Sequence, residues 1–299
     1  MRLGAPALLC GLASLAAAAL GASEAPLRIV TLSTVLTEVA QEVGGGAVTV
    51  RGLVGPGVDP HQFNPSPRDI REIIDADLVL SSGLNLEGYM RRVVANDVPA
   101  GRVLAVGDAL PSPITITSPS GTVEEDPHWW HSIDNMLAAV EVVRAEFSRR
   151  KPGSAAQFSA NAAAYSAHLT GLKAWAAREM ARIPPERRIL VTSHDAFGYL
   201  ARDYAFTIRS IGGYSTEGEA DGRRMAALVD YIRLHRVPAV FVESSANPRM
   251  VQNLVEETGV RLGGTLYADG LGPVGSGAET YESMYRSNVT AIVAALGNP

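Results

Sequence analysis

Apolar residues along this chain switch repeatedly between a period of two and a period near three and a half. Short β-branched runs, Arg28-Ile-Val-Thr-Leu32, Val48-Thr-Val-Arg-Gly-Leu53, Asp77-Leu-Val-Leu-Ser81 and Gly101-Arg-Val-Leu-Ala105, predict strands. Between the first two, apolar positions 35, 36, 39, 40 and 43 share one helix face, which Gly44-Gly-Gly46 terminates. Pro67 suits the first turn of a second helix carrying Ile70, Ile73 and Ile74, and a third is expected near 87–94. Strand alternating with helix is the signature of a parallel α/β sheet. The alternation resumes later, with strands at 188–192, 206–210, 238–243 and near 264–268. Helices are expected there at 196–203, 222–234, from Pro248 onward, and at 279–296.

The middle of the chain reads differently. Pro111, Pro113, Pro119 and Gly121 make 108–125 a long irregular surface loop. A helix follows over 133–150, broken by Pro152-Gly153. Then comes the longest helical pattern, 154–182, with Phe158, Ala162, Tyr165, Leu169, Leu172, Ala176, Met180 and Ile183 at steps of three and four. At ~1.5 Å per residue such a helix reaches roughly 43 Å, longer than one small lobe, and Pro184-Pro185 ends it. The expected fold class is therefore α/β: two lobes, each with a central, mostly parallel sheet flanked by helices, joined by one long backbone helix. The lobes are expected at 23–153 and 184–299, with the linking helix at 154–183.

Composition sharpens this picture at the N-terminus. Met1-Arg2 precedes an apolar run from Leu8 to Leu20, and small residues around Ala22 offer a cleavage point, so residues 1–22 are expected to be a secretory signal peptide. A membrane anchor is the rival; the Ala- and Gly-rich run with no basic stop after it argues against one. Cys10, the only cysteine, lies inside this leader, too early and with the wrong neighbours for a lipoprotein signal. The mature chain then has no disulfide, no thiolate zinc site and no iron–sulfur cluster. Its formal charge is −5 with the leader and −6 without Arg2, and no basic stripe suggests nucleic acid.

The chemistry concentrates in loops. Gly55-Pro-Gly-Val-Asp-Pro-His61-Gln-Phe-Asn-Pro-Ser-Pro67 is too rich in proline for a helix or a central strand, so it is a stiff loop presenting His61. Asp-Pro-His returns as Asp126-Pro127-His128, a third histidine stands in Ser193-His194-Asp195, and Asp269 follows the last strand. Ligands of open α/β sheets bind beyond the carboxyl ends of strands. Three imidazoles and one carboxylate there suit a tetrahedral Zn²⁺ site better than an oxygen-preferring Mn²⁺ site. Each residue alone has a plainer explanation, as a loop histidine, a turn former (Asp59, Asp126) or a helix cap. Glu243 and Asp195 are candidates to hold a ligand ring from behind, or to cap helices. His131 is expected to face solvent, with an auxiliary ligand role as the alternative. His168 and His235 read as surface residues, and Trp129 and Trp130 as packing. Gly270-Leu-Gly-Pro-Val-Gly275 matches a dinucleotide fingerprint in letters only, because it holds a proline and opens no helix. Three consecutive residues do not build a triad, so Ser193-His194-Asp195 is not catalytic, and no catalytic residue is assigned.

These stretches, together with Thr192-Ser-His-Asp-Ala-Phe-Gly-Tyr199, Val240-Phe-Val-Glu-Ser244 and Leu266-Tyr-Ala-Asp-Gly-Leu-Gly-Pro273, cover the mature chain in order. The chain resembles the zinc/manganese solute-binding proteins of bacterial ABC importers, the ZnuA-like group or cluster A-I, and most of all the AztC-type zinc-binding proteins. The resemblance implies metal ligands at His61, His128, His194 and Asp269, with histidine at the third position associated with zinc. It also implies little domain closure, a periplasmic location and delivery of Zn²⁺ to an ABC transporter permease. A monomer is expected, with a periplasmic metallochaperone as a further candidate partner. The loop before the second ligand is often histidine-rich in zinc members; here it holds only Glu124 and Glu125, so no metal-gathering role carries over to it. The alternatives are the same role for Mn²⁺ or another divalent metal, a secreted zinc hydrolase with Asp269 or Glu243 as base, and an adhesin stabilised by its metal.

Overall fold

A computed structural model describes residues 25–90, 98–99, 101–117, 123–216 and 222–297. The expected signal peptide and residues 91–94 of the expected 87–94 helix lie outside those residues. In the N-terminal lobe, β1 (Leu27–Thr31), β2 (Val48–Gly52), β3 (Leu78–Ser81) and β4 (Val103–Ala105) form a parallel sheet in the order β2-β1-β3-β4. Crossovers are made by α1 (Thr34–Gly44), capped by the Ser33 hydroxyl, and α2 (Pro67–Asp75). Ser66 and Asp69 form a reciprocal capping box at the start of α2, and Pro67 occupies its first turn, where a missing N–H costs nothing.

The segment expected as an irregular loop is more ordered than its prolines suggest. Thr115–Thr117 (β5) and Val123–Glu125 (β6) pair antiparallel, Thr115 opposite Glu125. The β-branched Thr-Ile-Thr run carries that strand, and the prolines only bracket it. Residues 84–89 form turns, with Leu84 and Asn85 both left-handed.

Next come α3 (Ile133–Arg150) and the long helix α4 (Ala155–Met180), 26 residues against the 29 expected. The C-terminal lobe contains β7 (Ile189–Thr192), α5 (Gly198–Tyr204), β8 (Thr207–Ser210), α6 (Gly222–His235), β9 (Ala239–Glu243), α7 (Arg249–Thr258), β10 (Arg261–Leu266) and α8 (Tyr281–Leu296). β7 pairs with β8 and β9 with β10, all parallel, and β7 lies beside β9. The last strand starts three residues earlier than expected. Its Gly263-Gly264 pair sits at a register shift where a Cβ on Gly263 would stand 2.6 Å from the Phe241 ring, so the glycines serve a close approach.

One apolar core runs through both lobes along α4. Phe158, Leu169, Leu172 and Met180 pack with Leu36 of α1, Val143 of α3 and Val289 of α8. Each such side chain contributes roughly 1.5–3 kcal/mol on burial. A polar clamp crosses the same seam: the Tyr165 hydroxyl donates to Glu38 Oε1 at 2.8 Å, and the Tyr281 N–H donates to Oε2 at 2.7 Å. Three helices thus meet on one carboxylate. Burial raises the Glu38 pKa, although both hydrogen bonds oppose the shift. The lobes are fixed to a common strut.

Candidate metal centre

The four side chains singled out in the sequence converge at the lobe interface. His61, His128, His194 and Asp269 each offer one donor atom, and these atoms lie within 4.8 Å of one another. All four residues are buried, at 8, 0, 3 and 5 % exposed respectively.

Each is placed by the loop that follows a strand. After β2, the Asp59 carboxylate accepts the His61 N–H at 2.9 Å and fixes the turn. Its other oxygen accepts the Thr216 hydroxyl of the opposite lobe at 2.6 Å. After β6, Asp126 makes the same turn, its Oδ1 accepting the His128 N–H at 2.9 Å, and goes further. The His128 Nδ1–H also donates to that Oδ1, at 2.7 Å. Past β7, the His194 Nδ1–H donates to Glu243 Oε2, while Glu243 Oε1 accepts the N–H groups of Ser193 and His194 at 2.9 and 3.0 Å. Past β10, the Ser245 hydroxyl donates to Asp269 Oδ2 at 2.5 Å. The carbonyl just before it, on Ala268, accepts Trp130 Nε1–H at 2.9 Å and His131 Nε2–H at 2.8 Å.

These outer bonds decide the chemistry of the inner atoms. A carboxylate can only accept, so both His128 and His194 spend their Nδ1 protons outward and, when neutral, turn bare Nε2 lone pairs inward. Those two Nε2 atoms stand 3.3 Å apart, and His61 Nε2 is 3.2 Å from His128 Nε2. Asp269 Oδ1 lies 3.5, 3.5 and 3.2 Å from the three ring nitrogens and accepts no hydrogen bond of good geometry. Buried lone pairs facing one another repel unless a positive charge stands between them. Five of the six donor–donor separations are thus 3.2–3.5 Å, and a regular tetrahedron with such edges has its centre about 2.0–2.1 Å from each corner, the Zn–N and Zn–O distance range.

The titration of these groups tells the same story with a proton in place of a metal. Burial would lower His194, but the charges of Asp269 and Glu243 outweigh it and raise the imidazole well above its ordinary value. Burial likewise opposes the rise at His128, where the hydrogen bond to Asp126 and the nearby Asp269 carboxylate prevail. Burial would raise Asp269, yet the imidazoles around it hold it well below the usual carboxylate range.

Three expectations about neighbouring residues change. His131 is not solvent-facing: the 3-10 turn Trp129–His131 points it inward, fully buried, 4.5 Å from the Phe197 ring centre. Burial pushes its pKa down to about 3, its Nδ1 has no hydrogen-bond partner among the described residues, and it is not one of the four clustered donors. Asp126 is more than a turn former, since it also orients the His128 ring; the repeated Asp-Pro-His tripeptide was the available signal. Of the two residues considered for holding a ring, Glu243 does so. Asp195 hydrogen-bonds no ligand side chain among the described residues, and burial raises it to about 6. Trp130 stands edge-on to the His128 ring at 5.4 Å and walls the site. A cleft of about 1530 Å³ reaches the cluster at His61, with Asn64, Glu87, Glu124, Glu125 and Tyr214 in its walls.

Residues 29–295 match the family described as ZnuA, zinc-uptake complex component A, periplasmic. The chain belongs to the ZnuA family. Similarity to individual members spans most of the chain. The manganese-binding lipoprotein MntA of Bacillus subtilis strain 168 is 38% identical over 275 residues, 90% of each chain. The solved periplasmic zinc-binding protein TroA of Treponema pallidum superposes with a TM-score of 0.86 at 33% identity, covering 91% of this chain and all of that one. A Mn-bound periplasmic metal-binding protein of Candidatus Liberibacter asiaticus gives 0.82 at 27% identity, covering 90% and 99%. This ZnuA-family protein is accordingly a periplasmic divalent-metal solute-binding protein of an ABC importer, and not an enzyme.

Proposed function

We propose that the cargo is Zn²⁺, held by His61, His128, His194 and Asp269 and handed to the membrane permease of the importer. The observation that supports this reading is the set of four buried donors, three of them imidazole nitrogens, with five of their six separations at 3.2–3.5 Å, close to the edges of a tetrahedral Zn²⁺ site. Zn²⁺ has no preference for octahedral geometry and accepts nitrogen readily, whereas Mn²⁺ favours oxygen. Export through a cleaved leader at residues 1–22, a monomeric state, and lobes at 23–153 and 184–299 around a 154–183 helix belong to the same proposal.

Mn²⁺ is the second reading, because the 38% identical MntA is a manganese-binding protein by name and a Mn-bound structure shares the fold. Elemental analysis of protein purified without chelator, followed by competition titrations of the metal-free protein, separates the two. Zinc in the isolated protein and a Zn²⁺ affinity well above that for Mn²⁺ support the proposal. Manganese in the isolated protein, with the preference reversed, overturns it.

A further inference from the structure

We propose that Ser245 sets the ion selectivity of this site by keeping Asp269 monodentate. The inference rests on the four-residue metal site proposed above. Ser245 lies in the turn after β9, two residues beyond Glu243, so one short segment controls both C-terminal-lobe donors. Its hydroxyl donates to Asp269 Oδ2 at 2.5 Å, while Oδ1 alone faces the three Nε2 atoms. A carboxylate whose second oxygen is held this way contributes one donor, and the total stays at four. Released, Oδ2 can rotate toward the ion as a fifth donor, which suits ions that take more oxygen ligands. The main chain around Asp269 is fixed independently. Trp130 and His131 hold the Ala268 carbonyl, and the Leu271 N–H donates to Thr34 Oγ1 at 2.8 Å. Removing the hydroxyl therefore frees carboxylate rotation and little else.

Three proteins test this: the wild type, Ser245→Ala and Ser245→Thr, which keeps the hydroxyl. Each is titrated with Zn²⁺ and Mn²⁺, and its Co²⁺ form is examined by visible absorption, where four-coordinate Co²⁺ absorbs more strongly than five- or six-coordinate. The expected result is intense bands for wild type and Ser245→Thr, with weaker bands for Ser245→Ala. The Zn²⁺-over-Mn²⁺ preference of Ser245→Ala should fall by about ten- to a hundredfold. A Ser245→Ala protein with the wild-type spectrum and an unchanged preference overturns the inference while leaving the metal site intact. A wild type that binds neither ion overturns the site and the inference together.

Discussion

At the scale of single residues, the centre works by directing protons outward. Asp126 and Glu243 accept the Nδ1 protons of His128 and His194, which leaves Nε2 as the only atom either ring can offer inward. Replacing Asp126 or Glu243 by alanine should weaken metal binding by about ten- to a hundredfold without removing a ligand, measurable by competition with a chelator of known affinity. His61→Ala, His128→Ala and His194→Ala should each cost more, and unchanged affinity in all three excludes this site. Protonation competes with metal. In the metal-free protein His194 is raised well above its usual value, so its ion pairs with Asp269 and Glu243 add stability that is complete below about pH 6.5. That contribution is lost as the pH rises through the raised value. The contribution of Asp269 runs the other way, present above about pH 3.9 and lost as the pH falls through its depressed value. Metal must displace the imidazole proton, so affinity should climb with pH across the neutral range. Calorimetry in buffers of different ionisation enthalpy should show proton release on binding at neutral pH, and no release contradicts the assignment.

At the scale of elements, the loops that carry ligands are stiff because both ends are tied. The chain beyond Asp269 shows this. Gly270 has φ +155°, and a Cβ there would stand 2.4 Å from Thr34 Oγ1, the atom that accepts the Leu271 N–H. Gly270→Ala should destabilise the protein by about 1–3 kcal/mol in denaturant unfolding and weaken metal binding by displacing Asp269. Most elements and all four converging residues were legible in the sequence, because periodicity marks helices and strands and because histidines after strands are conspicuous. What was not legible depended on direction. Nothing local in Trp129-Trp130-His131 says that the turn faces the core, so His131 read as exposed. Nothing separates Asp59 from Asp126, although only the second reaches its histidine ring. Proline hid β5, and the Gly263-Gly264 irregularity hid the start of β10.

At the scale of the molecule, the decisive feature is that α4 belongs to the cores of both lobes, with Glu38, Tyr165 and Tyr281 locking the seam. Leu169→Ala should cost about 2–5 kcal/mol, and because that core spans both lobes the unfolding should remain a single transition rather than splitting into two. A strut of this kind favours small adjustments at the loops over hinge closure, so the radius of gyration in solution should change little when metal is added. X-ray absorption on the Zn²⁺-loaded protein reads the ligand set at the ion directly. Four nitrogen or oxygen neighbours are expected at about 2.0–2.1 Å, with the outer-shell scattering of three imidazole rings. A six-coordinate, oxygen-rich ion lacking that imidazole signal would contradict this ligand set.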